Sequence, residues 1–226
     1  MWSEGGPGLD TPTPSHRQRP GRGRVRCIAL ALAAAAPSLV FAQWLDYAQV
    51  EASTENASLV LVRAIRDQSL TVVPTLLTAS AAQWNTGETV AVGITPRWSL
   101  VGGEHQWLVG VGVGANYWRS RGGPDLDEQS AVSARLQTEF MGPAPQGNYY
   151  ALVQASTFRG GVYAGLQYSL QQQPVALEAS YYRETDYHAY NLGLRFALPV
   201  ERWFLRVGAT HDDQTRAYIG VAYNGF

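Results

Sequence analysis

The chain of 226 residues is short of several things, and each shortage removes a class of protein. It has one cysteine, Cys27, so no internal disulfide can form. It has no lysine, and arginine alone carries its positive charge. Removing the five arginines and two acids of residues 1–42 from 17 basic and 18 acidic residues leaves 12 arginines against 16 acids over 43–226, a balance with no basic patch for nucleic acid. No apolar run reaches the ~20 residues of a spanning helix. No Gly-x-Ser-x-Gly elbow occurs, and none of His105, His188 and His211 is followed two residues on by serine, so the common lipid-hydrolysing arrangements are missing. Gly110, Gly112 and Gly114 alternate along an extended segment with no helix after them, which excludes a phosphate-cradling loop and leaves no motif for a cofactor.

What the chain does have begins with an export signal. Arg22, Arg24 and Arg26 precede an apolar stretch from Cys27 to Ala42 that closes on Val40-Phe41-Ala42. Its length suits a signal core and falls short of an anchor, so cleavage is expected before Gln43, with Cys27 leaving in the discarded piece. No cysteine follows the cleavage point, which argues against a lipoprotein. The expected division is an N-terminal extension and signal over 1–42 and one folded domain over 43–226.

That domain is patterned with period two. Trp107, Val109, Val111, Val113, Ala115 and Tyr117 alternate with glycine, glutamine and asparagine. Val132, Ala134, Leu136 and Phe140 alternate with Ser133, Arg135, Gln137 and Glu139, and the same rhythm continues through Leu166, Leu177, Leu192, Leu205 and Ile219. Only strands explain this spacing. An all-β, up-and-down antiparallel barrel follows, of twelve strands, or ten if the less regular segments around 47–53 and 59–65 do not pair. Pro74 and Pro96 fall inside strands and mark bulges or strand ends.

Alternation leaves the direction of the apolar face open between a lipocalin-like soluble barrel and a lipid-facing one. Trp107 and Tyr117 are ten residues apart on one face, which at ~3.3 Å per residue and a ~40° tilt spans about 25 Å, the apolar height of a membrane barrel. The other face is rich in Gly, Ser, Gln and Asn, a lumen composition.

The last segment, Ala217 to Phe226, resembles the C-terminal assembly signal of bacterial outer-membrane β-barrels through Gly220, Tyr223 and Phe226. Tyr223 and Phe226 stand three apart, so a bulge at Asn224-Gly225 is needed for them to share a face. The resemblance implies outer-membrane lipid and the barrel assembly machinery as partners, and places both chain ends in the periplasm. Hairpins near 54–56, 83–88, 119–129, 159–161, 184–187 and 212–215 then face outside, and turn sizes are expected to alternate between the two ends.

Function must come from the lumen or the loops. Arg97, Arg135, Arg195 and Arg206 fall on the polar face with Glu51, Glu139 and Glu178; turned toward the bilayer midplane, an arginine would cost ~2 to 4 kcal/mol. A narrow constriction with excess arginine would favour anionic or sugar-like solutes, as a channel or as an accessory barrel for exopolymer export with secretion components as partners. The opposing reading is a closed structural or adhesive barrel whose charges pair and plug it. In the loops, Asp186 and His188 resemble the Asp-x-His pair of omptin-type surface proteases, and Asp125 and Asp127 resemble their paired aspartates, the carboxylate orienting an imidazole that activates water. The chain is short for that family, and Asp is common in turns for its own backbone hydrogen bonds.

Overall fold

The computed structural model describes residues 45–65, 73–84, 87–120, 127–185 and 187–225. The expected signal, Asp125, Asp186 and Phe226 lie outside them. The described residues form twelve antiparallel strands: β1 (Tyr47–Ser53), β2 (Ala57–Ile65), β3 (Val73–Trp84), β4 (Gly87–Val101), β5 (Gln106–Ser120), β6 (Glu128–Ala144), β7 (Gly147–Ser156), β8 (Val162–Leu170), β9 (Val175–Glu184), β10 (Tyr187–Ala197), β11 (Trp203–His211) and β12 (Thr215–Asn224). Each strand pairs with the next, and β1 closes on β12 from Tyr47↔Asn224 to Ser53↔Tyr218. The ten-strand alternative is thus set aside, because the two irregular N-terminal segments supply the closing pair.

Closure decides what the alternation means. Register partners share a face, and on one face Arg97 bonds Glu139 while Arg195 and Arg206 engage Glu178 and Glu51. The intervening residues therefore point out. Val132 is 80 % exposed, Leu192 69 % and Leu136 59 %, while Ser133 is 2 % and Glu139 3 % exposed. This inverts a water-soluble protein: Val90, Val92, Ile94, Val111, Val113, Val132 and Leu136 are exposed side by side on β4 to β6, where a soluble monomer keeps contiguous apolar patches small. Lipid solvates such a surface at no cost, and closure bonds the ladder without leaving an open edge. Among the described residues no helix is long and apolar enough to cross a membrane, so any crossing is made by strands.

Outward aromatics mark both rims of the apolar band. Trp107 stacks on Phe140 at 5.4 Å and Trp203 tilts on Tyr223 at 5.4 Å near the end that carries residues 45 and 225. Near the opposite mouth Tyr181 packs on Tyr190 at 4.9 Å, and the Tyr117 hydroxyl donates to Glu128 at 3.2 Å. Amphipathic rings at these two heights are what a membrane interface selects.

Pro74 sits in a bulge, where the β3–β4 register slips between Val73 and Leu76. Pro96 lies opposite it, and β4 keeps its register with β5 from Ile94↔Val113 to Arg97↔Gly110. The turns do not alternate in size. Connections at 54–56 and 212–214 are as short as those at 145–146 and 171–174 at the other end. The asymmetry lies in the wall: β4, β5 and β6 have 15, 15 and 17 residues, whereas β1 has 7.

Candidate functional site

The lumen is built from every second residue of each strand, and its charges fall into separate groups. On the tall wall, Arg97 of β4 donates through Nη1 to both Glu139 carboxylate oxygens, at 2.8 and 3.1 Å, and through Nε to the Pro74 carbonyl at 2.9 Å. The bulge at Pro74 turns that carbonyl toward the guanidinium, which is how a backbone irregularity serves the site. Glu139 also accepts from Gln137 at 2.8 Å and Tyr150 at 3.0 Å. Both of its oxygens are thereby saturated, as a buried carboxylate requires.

Across the lumen, Arg206 of β11 bonds Glu178 of β9 through Nε at 2.7 Å and Glu51 of β1 through Nη1. Arg195 of β10 stands 3.8 Å from the second Glu178 oxygen and lies over the Phe204 ring at 4.3 Å. Gly220 of β12 makes room for Glu51, since a Cβ there would meet its Cγ at 2.8 Å. Toward the mouth away from the chain ends, Arg159 pairs with Glu184 at 3.6 Å and stacks on Trp118 at 4.1 Å. There too Arg216 bonds Glu55 at 2.8 Å and Asp212. Partial desolvation would raise the Asp212 carboxyl, but the Gln214 backbone N–H at 3.0 Å and the Arg216 guanidinium outweigh it and hold the group below the usual carboxylate range.

Arg135 is different. It lies on the same face of β6 as Glu139, four residues or roughly 13 Å along the strand, and Glu139 is fully engaged elsewhere. Its guanidinium donates to the Thr78 hydroxyl at 3.1 Å and the Asn116 amide oxygen at 3.3 Å, and its Nε is buried without a partner. No carboxylate of the described residues pairs with it. Of the inward residues in the strands' middle, Arg97, Arg195 and Arg206 balance Glu51, Glu139 and Glu178, so the uncompensated positive charge is Arg135.

Two glycines make room for this residue. Thr78, Gly93, Gly114 and Ser133 form one register row across β3 to β6. A Cβ at Gly93 would stand 2.3 Å from Arg135 Nη1 and one at Gly114 2.6 Å from Nη2. The Arg135 side chain fills the space that Gly93 and Gly114 leave, while Gly110 and Gly112 lie against β4, where a Cβ at Gly112 would meet the Ile94 carbonyl oxygen at 2.3 Å.

Along another sector the inner face is less tightly packed. Tyr163 points inward from β8 and is still 36 % exposed, and the inward Gln154, Gln167, Ser169 and Ser180 are half-buried.

The loop candidates are not gathered. His188 follows the inward Tyr187 and so sits on the outer face, opposite Arg183 in register and edge-on to Tyr190 at 6.0 Å. His211 is also outward, with Nδ1 2.9 Å from the Thr215 hydroxyl. The carboxylates of Glu184 and Asp212 turn inward, away from both rings, and Asp127 is an exposed residue before β6. Among the described residues no three of His, Cys, Asp and Glu come together to hold a metal. At the C-terminal strand, Gly220 faces in and Tyr223 faces out beside Trp203.

No protein-family model and no curated protein matches the chain. Among solved structures it is similar to the KdgM porin, with 12 % identity and a TM-score of 0.49 over 79 % of this chain and 97 % of that one. It is also similar to the Acinetobacter baumannii outer membrane protein Omp33, with 8 % identity and a TM-score of 0.46 over 79 % and 95 %. A third is the translocator domain of autotransporter NalP from Neisseria meningitidis, with 14 % identity and a TM-score of 0.35 over 89 % and 98 %. The chain's own geometry decides the class. It is a transmembrane β-barrel. Closed up-and-down barrels of this kind, with an outward apolar band between aromatic girdles, reside in the bacterial outer membrane.

The sequence pattern named all four lumen arginines and three glutamates but not their pairing. Thr78, Asn116, Gln137 and Tyr150 were missed as partners. Parity alone places each of them inward, and only register brings them to a particular charge.

Proposed function

We propose that this barrel passes small hydrophilic solutes through a narrow lumen lined by arginine, glutamate, tyrosine and glutamine. The observation that supports the reading is the water-reachable inward surface along β7 to β9, headed by Tyr163, inside a wall whose exterior suits only lipid. Charges held against the wall in pairs line a passage without blocking it, and their pairing keeps a strong field from trapping ions. Under the same proposal, residues 1–42 carry the export signal, 43–226 is the mature chain, and the outer-membrane assembly machinery reads Gly220, Tyr223 and Phe226. Passage of an exopolymer with dedicated export components is the same physical device with a longer cargo.

Purified protein in a planar bilayer tests this. Small, discrete conductance steps are expected, reduced by neutral sugars added to the bath. A second reading, a closed structural barrel, draws on the pairing of Arg97, Arg195 and Arg206 with glutamates. Recordings free of steps across repeated insertions would favour it and end the channel proposal.

A further inference from the structure

We infer that Arg135 is an anion-binding station in the lumen, taking a small oxyanion of the carboxylate or sulfate type; the inference deepens the channel reading above and names the solute chemistry it serves. Three features carry it. First, Arg135 is 9 % exposed, and no acid among the described residues compensates it. A guanidinium is charged at every relevant pH and presents five N–H donors in a planar fork. Its two protein bonds, to Thr78 and Asn116, are both to neutral oxygens, and the buried Nε has none. An uncompensated buried charge is costly, and a mobile counter-anion is the remaining source of compensation.

Second, the position is constructed. The side chain runs from β6 across Gly114 of β5 and Gly93 of β4 to Thr78 of β3, along a row in which both crossed strands lack a side chain. Asn116 is itself fixed, its amide nitrogen donating to Ser133 at 2.7 Å, so that its oxygen is presented to the guanidinium. The fork lies over Gly114 and Gly93, and Nη1 and Nη2 each keep a second N–H beyond the bonds to Thr78 and Asn116, which suits an anion that bonds two donors at once.

Third, the neighbouring acid is unavailable. Glu139, the nearest glutamate on the same strand face, spends both oxygens on Arg97, Gln137 and Tyr150. A local carboxylate therefore does not compete with an incoming anion, whereas Arg97, Arg195 and Arg206 each already hold one.

The test is heat-modifiable gel migration of the full chain in detergent, with sulfate or acetate titrated against a bulky sulfonate at fixed ionic strength. In the wild type the unfolding midpoint should rise by about 2 to 4 °C as the anion saturates the site. Arg135→Gln should assemble, since it removes a charge without stranding another, and should lose the shift. A rise with sulfate alone assigns the site to free inorganic anions, and a rise with both extends it to the carboxylates of organic solutes. A flat wild-type titration, or an Arg135→Gln shift equal to the wild type's, overturns the inference. Should Arg135→Gln fail to assemble, Arg135→Lys decides: a shift cut by at least half sustains the site, and an undiminished one overturns it. In the bilayer, Arg135→Gln should lower the anion-to-cation permeability ratio by roughly tenfold. Binding without conductance ends the channel reading and keeps the site; conductance without an anion-dependent midpoint does the reverse.

Discussion

Arg206 and Arg135 face the same lumen under opposite electrostatic terms. Arg206 is held by two carboxylates, Glu51 and Glu178, from two other strands. Arg135 is held by a hydroxyl and an amide and lies on glycines. The first arrangement ties β1, β9 and β11 together where the chain closes on itself. The second stabilises little and leaves a charge uncommitted. In a barrel whose outer surface is fixed by lipid, the interior is where the sequence has freedom to separate charges that hold the wall from a charge that meets the solute.

Truncating each arginine separates the two roles. Arg206→Met leaves Glu51 without its cation and Glu178 with Arg195 alone at 3.8 Å, and about 3 to 5 kcal/mol of unfolding free energy should be lost in urea titrations of the barrel in lipid vesicles. Adding Glu51→Gln to it should restore part of that loss, since Glu178 keeps Arg195. Arg135→Met strands no charge and frees only two neutral oxygens, so its stability should stay within about 1 kcal/mol of the wild type or exceed it. If the two single variants lose equally, the distinction between structural and uncommitted charge is wrong.

The glycines offer a second contrast on neighbouring positions. Gly112→Ala drives a methyl into the Ile94 carbonyl, which the sheet cannot move, and a loss of roughly 1 to 3 kcal/mol is expected. Gly114→Ala meets the tip of Arg135, a flexible side chain free to lift, so the cost should be smaller and the change should show in anion selectivity. Urea midpoints and reversal potentials on the same two preparations separate the outcomes. Selectivity that responds to Gly112→Ala and ignores Gly114→Ala would contradict the placement of the guanidinium.

These contrasts also show where the sequence was legible. Period two with glycine and glutamine between valines carried the twelve strands, and the cost of an arginine facing lipid turned Arg97, Arg135, Arg195 and Arg206 inward. What parity could not carry is register. Arg135 and Glu139 share a face of β6, and nothing in their spacing says that Glu139 is taken by Arg97 from two strands away. The same limit governs the loop candidates. Asp-x-His reads as one constellation in the chain, but register puts His188 on the outer face of β10, while the neighbouring carboxylates of Glu184 and Asp212 turn inward, away from it. Loop lengths misled for another reason: the taller wall is built by extending β4 to β6, which a count of turn residues does not register.

The smallest expected effect lies at the mouth, where Asp212 tests whether the paired arrangement extends beyond the lumen. Its carboxyl is held below the usual range in the folded protein, so the folded state binds this proton less readily than the unfolded chain. The contribution to stability is therefore complete above the unfolded carboxyl value of about 4, and is lost as pH falls from there through the depressed folded value. Between pH 7 and pH 3 the tie from Asp212 to Arg216 and the Gln214 N–H should loosen, and amide exchange over 212–216 should quicken, corrected for the intrinsic pH dependence. In Asp212→Asn that extra quickening should disappear, because the neutral amide has no proton to gain. Equal pH responses in the two proteins would mean that Glu55 alone secures Arg216, and that pairing at the rim is set by a different carboxylate from the one whose titration is displaced.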